Sequence, residues 1–161
     1  MKKYDIDTEA RVDRGVEYFK EGYNCSQSVA MTYADVYGID PNQMALLAAS
    51  FGGGIGRMRM TCGAATGMAL LAGLECGTND PKDAQAKAHN YAVTQQLINT
   101  FKDVNGSFTC AELLGIKKDT RLTPVPDQRN AEYYAKRPCA RMVGTACRIY
   151  ADYLNSLDKQ S

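Results

Sequence analysis

Six cysteines stand at positions 25, 62, 76, 110, 139 and 147 of a 161-residue chain. Cysteine is the residue type here best suited to hold a metal or to exchange electrons. No two are spaced as C-x-x-C, so neither a zinc-ribbon pair nor a thioredoxin-type motif is present. Their neighbours say more. Cys25 follows Asn24, Cys62 follows Thr61, Cys110 stands three residues after Ser107, and Cys139 follows Pro138. Asn, Thr and Ser cap helices and Pro opens them, so four thiols fall in the first turn of four different predicted helices. A helix N-terminus offers unpaired N–H groups and roughly half a positive charge, which lowers a thiol pKa and favours anything anionic. Four such ends converging would supply four thiolates, the donor set of an iron-sulfur cluster or of an all-thiolate zinc site.

The other two cysteines read as core packing. Cys76 lies 14 residues after Cys62, about 21 Å away along a continuous helix, too far to share a ligand sphere. Cys147 lies 8 residues past Cys139, about 12 Å by the same rise, beyond disulfide reach. Among other chemical residues, Arg57 and Arg59 could offset the charge of a tetrathiolate centre or dock an acidic partner; the alternative is a solvated basic edge. Met58 and Met60 read as adaptable packing and His89, the only histidine, as exposed or packing. "FGGGIGRM" lacks the lysine of a phosphate-binding loop and follows no strand, so nucleotide binding has no support; it reads as a loop needing positive φ values and close backbone approach. No Ser-His-Asp order, paired-carboxylate motif or HExxH is visible, which leaves hydrolase readings without a basis.

The elements that must position these thiols are helical nearly throughout. Ala10, Val12, Val16 and Phe19 recur at helical intervals, predicting a first helix from about Asp7 to Glu21. A second runs from its cap Asn24 to Gly38. Asp40 caps a short third helix with Pro41 at its first position. Thr61 caps a nearly apolar fourth helix through about Glu75, expected at the centre of the core. The longest helix is capped by Asp80 or Asn79, has Pro81 at its first position and reaches about Asp103. Ser107 caps a short helix that Gly115 ends, "IKKDTRLTPVPDQRN" reads as a connecting loop, and Pro138 opens the closing helix. The expected fold is all-α: a compact bundle of about six to seven helices in one domain over residues 1–161.

A formal charge of +1 with no basic block gives no footprint for nucleic acid. Nothing approaches a membrane-spanning or signal segment, so the reading is a cytoplasmic protein without membrane insertion, in which reduced thiols are metal ligands or redox groups.

"CGAATG" at 62–67, with Cys25 before it and "GSFTCAELLG" and "CARMV" after it, resembles the C_GCAxxG_C_C family of redox-active proteins over about residues 12–155. The resemblance maps the family's signature cysteines onto Cys25, Cys62, Cys110 and Cys139, with Cys76 and Cys147 extra. It implies a small, mostly helical protein related to the non-haem part of split-Soret-type cytochromes; no CxxCH is present, so covalent haem is not expected. The leading expectation is therefore an electron-transfer protein holding one iron-sulfur cluster, 2Fe-2S favoured over 4Fe-4S, through those four residues. Two alternatives stay open: a thiol-disulfide oxidoreductase with Cys62 as nucleophile, and a structural zinc site. Whether a substrate is turned over is left open. A redox partner protein is expected, and a homodimer is compatible with the chain.

Overall fold

Side chains that capture backbone amides set the helix starts in the computed structural model, which describes residues 1–160. Asp7 accepts from the Ala10 amide at the head of α1 (Thr8–Lys20). Asn24 and Gln27 exchange side-chain and backbone hydrogen bonds of 2.9 and 3.0 Å, a capping box that opens α2 (Cys25–Thr32). Asp40 and Pro41 open α3 (Pro41–Ala48). Next come α4 (Gly63–Cys76), α5 (Ala84–Asn105), α6 (Cys110–Leu114), α7 (Ala131–Lys136) and α8 (Cys139–Asn155). The fold is all-α, with two isolated β-bridges and no strand among the described residues. The eight α-helices among the described residues are the seven predicted plus α7, a six-residue element between the predicted connecting loop and the last helix.

Several boundaries move, each for a local reason. The second helix does not reach Gly38; it tightens after Thr32 into a 3-10 turn over Ala34–Tyr37, with Gly38 left-handed at φ 65°. The long helix starts at Ala84, because Asp83 accepts the Ala86 amide while Asp80 closes a turn onto the Lys82 amide. Thr61 and Ser107 are not the caps of α4 and α6. Thr61 pairs instead with Thr109 in an antiparallel bridge: the Cys62 amide donates to Phe108 and the Cys110 amide to Met60, at 2.7 and 2.6 Å. That pairing keeps Thr109 extended, moves the caps to Cys62 and Thr109, and sets the starts of α4 and α6 side by side.

The core is centred on α4, whose small residues let α2 press close. A Cβ at Gly63 would meet the Ser26 amide nitrogen and Phe51 oxygen at 3.1 Å, and one at Gly67 would meet Val29 at 3.0 Å. Glycine here permits close approach; Ser26 Oγ, buried beside it, has no hydrogen-bond partner among the described residues. Met68 and Leu71 of α4 pack with Val93, Leu97 and Phe101 of α5 and with Met142, Val143, Tyr150 and Leu154 of α8 in one cluster. On the other side α8 lies against α1, where Gly15 makes room for the Cys147 sulfur. Among the described residues no helix is long and apolar enough to cross a membrane.

Candidate functional site

Cys25, Cys110 and Cys139 are the first residues of α2, α6 and α8, and Cys62 is the N-cap of α4. All four line one cavity of about 390 Å³. Two devices bring these helix starts together. One is the Thr61–Thr109 bridge, which joins the starts of α4 and α6. The other is the turn after α3, where Asn24 Nδ2 donates to the Ala49 oxygen at 2.9 Å and Gly52 packs so tightly that a Cβ would fall 2.3 Å from Asn24 Cγ.

Between Gly52 and Thr61 the chain makes a left-handed turn. Gly53, Gly54, Ile55, Gly56 and Arg57 have φ between 58° and 71°, and Arg59 follows at 60°. Glycine adopts such values freely, whereas an L residue is strained by about 1–2 kcal/mol and a β-branched one such as Ile55 most of all. The turn is closed by its own backbone, with the Gly56 amide on Ser50 at 2.8 Å and the Met60 amide on Gly54 at 2.9 Å. Strain of this kind concentrates where geometry is needed for function. Here it brings Arg57 and Arg59 to the cavity wall, so they are not a solvated edge: their side chains are 16% and 11% exposed. Met58 and Met60, expected as packing, are exposed, and so is His89.

The four thiols are electrostatically unequal. Burial pushes Cys62 up to about 12, although the Ala64 and Ala65 amides at the start of α4 favour its thiolate. Burial also raises Cys110, against the pull of Arg59, whose Nη1 donates to Cys110 Sγ at 3.7 Å. The neighbouring Cys25 thiol favours the Cys139 thiolate, so Cys139 falls to about 7 while Cys25 is raised well above its ordinary range. Arg137, Tyr133 and Arg129 add to the lowering of Cys139, and burial opposes it. Arg129 is fixed by hydrogen bonds to the Phe19 and Tyr23 oxygens and lies 4.1 Å from the Phe19 ring centre. In a dithiol reading, Cys139 is therefore a better nucleophile than Cys62. Cys139 is also half-buried where the other three are buried.

This inequality predicts a pH profile. In reduced, metal-free protein Cys139 is protonated and slow below pH 7, and its alkylation rate rises through about pH 7. Cys25→Ala removes the thiol that favours the Cys139 thiolate, so the midpoint moves up toward the ordinary thiol value of about 8.5. Mass spectrometry of the iodoacetamide-labelled peptide reads it; an unchanged midpoint in Cys25→Ala would contradict the support that Cys25 gives the Cys139 thiolate.

Cys76 and Cys147 lie outside the cavity. Cys147 is fully buried beside Gly15, and Cys76 is half-buried and accepts from Asn90 at 3.5 Å. Sequence reasoning missed Asp127, Arg129, Tyr133 and Arg137, all on the cavity wall. The available signal was five charged residues within eleven positions before the last helix (Asp127, Arg129, Glu132, Lys136, Arg137), interrupted by two adjacent tyrosines. Among the described residues no three His, Cys, Asp or Glu side chains gather closely enough to hold a single ion.

A family model described as "Putative redox-active protein (C_GCAxxG_C_C)" matches residues 23–153. No curated protein and no solved structure matches the chain.

Proposed function

The chain belongs to the C_GCAxxG_C_C family, and from that premise we propose that Cys25, Cys62, Cys110 and Cys139 hold one iron-sulfur cluster in an electron-transfer protein. The observation that carries this reading is the shared cavity, into which four separate helix starts deliver one cysteine each. Four thiolates are a complete donor set for such a cluster. When bound, the cluster would take up and release single electrons.

The chain's own groups fit an anionic centre. Arg59 donates to Cys110, and Arg129 and Arg137 stabilise negative charge at Cys139. The Ala64 and Ala65 amides do the same at Cys62. Hydrogen bonds and positive charge around the sulfurs favour the more negative, reduced state and so raise a cluster's potential. Pro124 and Pro126 of the loop after α6 also line the cavity.

Protein purified without oxygen should show visible absorption that a strong reductant bleaches and air restores. A second reading rests on the facing Cys25 and Cys139. The Cys139 thiolate would attack a substrate disulfide, and Cys25 would resolve the mixed disulfide, releasing the substrate as a dithiol and leaving a Cys25–Cys139 disulfide. That reading predicts colourless protein whose free thiols fall by two on oxidation.

A further inference from the structure

The segment from Ile116 to Asn130 that closes the cavity is fastened by charge. Residues 117–128 are all exposed, so none anchors the segment in the core. Arg129 holds the segment's far end to the Phe19 and Tyr23 oxygens, and over the cavity mouth its ion-pair fastening is a single carboxylate oxygen. Asp127 Oδ2 accepts from Arg57 Nη2 at 3.1 Å and from Arg137 Nη2 at 2.7 Å, with Arg59 Nη2 at 4.0 Å. Three guanidiniums against one carboxylate leave two positive charges without a carboxylate partner. The cations sit in the wall, 16%, 11% and 26% exposed for Arg57, Arg59 and Arg137, whereas Asp127 is 42% exposed and reaches in from the solvent side. Two of the three arginines are held there by left-handed backbone. The cavity they share with the cysteines, about 390 Å³, falls within the range of small-molecule sites.

We propose that Arg57, Arg59 and Arg137 form a subsite for a small oxyanion beside the four cysteines, and that Asp127 occupies it as an internal stand-in until such an anion displaces it. The inference deepens the redox reading by naming a ligand class for the same cavity, but the binding itself requires no cluster. Guanidinium forks match the paired oxygens of a carboxylate or a tetrahedral oxyanion, and the fastening in place uses only one oxygen of Asp127. Displacement releases a segment with no buried side chain over 117–128, together with the Arg57–Thr123 hydrogen bond, so opening it disturbs no packed core.

Titration calorimetry with sodium sulfate and with sodium succinate, at matched low ionic strength, tests this on the full chain both with and without iron. At least one anion should bind one to one, about tenfold tighter in Asp127→Asn, where the competing charge is gone. Binding should be about ten- to a hundredfold weaker in Arg57→Gln and Arg137→Gln. Preference for sulfate would assign an inorganic tetrahedral ligand, and preference for succinate an organic acid. Thermal melts confirm that each variant is folded. No saturable binding of either anion to Asp127→Asn, or equal binding by folded Arg137→Gln, would overturn the proposal. The two readings fail separately. Protein that holds no iron after anaerobic purification yet binds the anion would defeat only the cluster, and iron-loaded protein that binds neither anion would defeat only the subsite.

Discussion

Cys62→Ser should yield a folded protein that retains less than about a tenth of the iron and sulfide of the parent. The substitution is nearly isosteric, and Cys62 is the N-cap of α4, a position where serine is among the preferred residues. Helix α4 and the core around it are thus preserved, and what is lost is the thiolate. A serine hydroxyl stays protonated at neutral pH and makes a poor cluster ligand, so the loss reports on ligation and not on folding. The same loss is expected for serine at Cys25, Cys110 and Cys139. Cys76→Ser is the control, since Cys76 lies outside the cavity beside Asn90, and its iron should be unchanged. Far-UV circular dichroism and thermal melts of the iron-free proteins check the fold in each case. Cys62→Ser with full iron and sulfide would remove this residue from the site.

Gly54→Ala should destabilise the iron-free protein by about 3 kcal/mol or more. Gly54 is left-handed at φ 71°, and a Cβ there would lie 2.6 Å from the Met60 nitrogen, 2.7 Å from Cys110 Cβ and 2.8 Å from the Arg59 carbonyl carbon. An alanine pays about 1–2 kcal/mol for the left-handed backbone alone, and the rest comes from contacts that are mostly main chain and cannot swing aside. Gly56 separates the two effects. It is also left-handed, at φ 58°, but nothing lies within 4 Å of its Cβ position, so Gly56→Ala should cost only the backbone part. Urea midpoints for the pair measure the difference. Equal costs would mean that the turn does not press on Cys110 as described.

The caps and the cysteines were legible in the sequence because both are local signals. Asn24, Asp40 and Pro138 mark helix starts through chemistry confined to three or four residues, and the four thiols were selected by their distance from such marks. The true caps of α4 and α6 were not legible, because a pairing between Thr61 and Thr109, 48 positions apart, sets them. Helix α7 was missed for a related reason: six residues are too few for periodicity to show, although Asn130 caps it by accepting the Tyr133 amide. The arginines of the cavity wall were hidden by distance as well. Arg57 and Arg137 meet only at Asp127, on a segment whose prolines and polar residues read as an ordinary connection. The glycine turn was recognisable as needing positive φ, but the left-handed Ile55, Arg57 and Arg59 were not, since no residue type announces strain.

The central claim is that four cysteines hold an iron-sulfur cluster, and metal and sulfide analysis of anaerobically purified protein tests it most directly. The account predicts iron and acid-labile sulfide in equal amounts, two or four of each per chain according to nuclearity, without stoichiometric zinc. One zinc per chain with no sulfide, or neither metal nor sulfide after anaerobic handling, would contradict it.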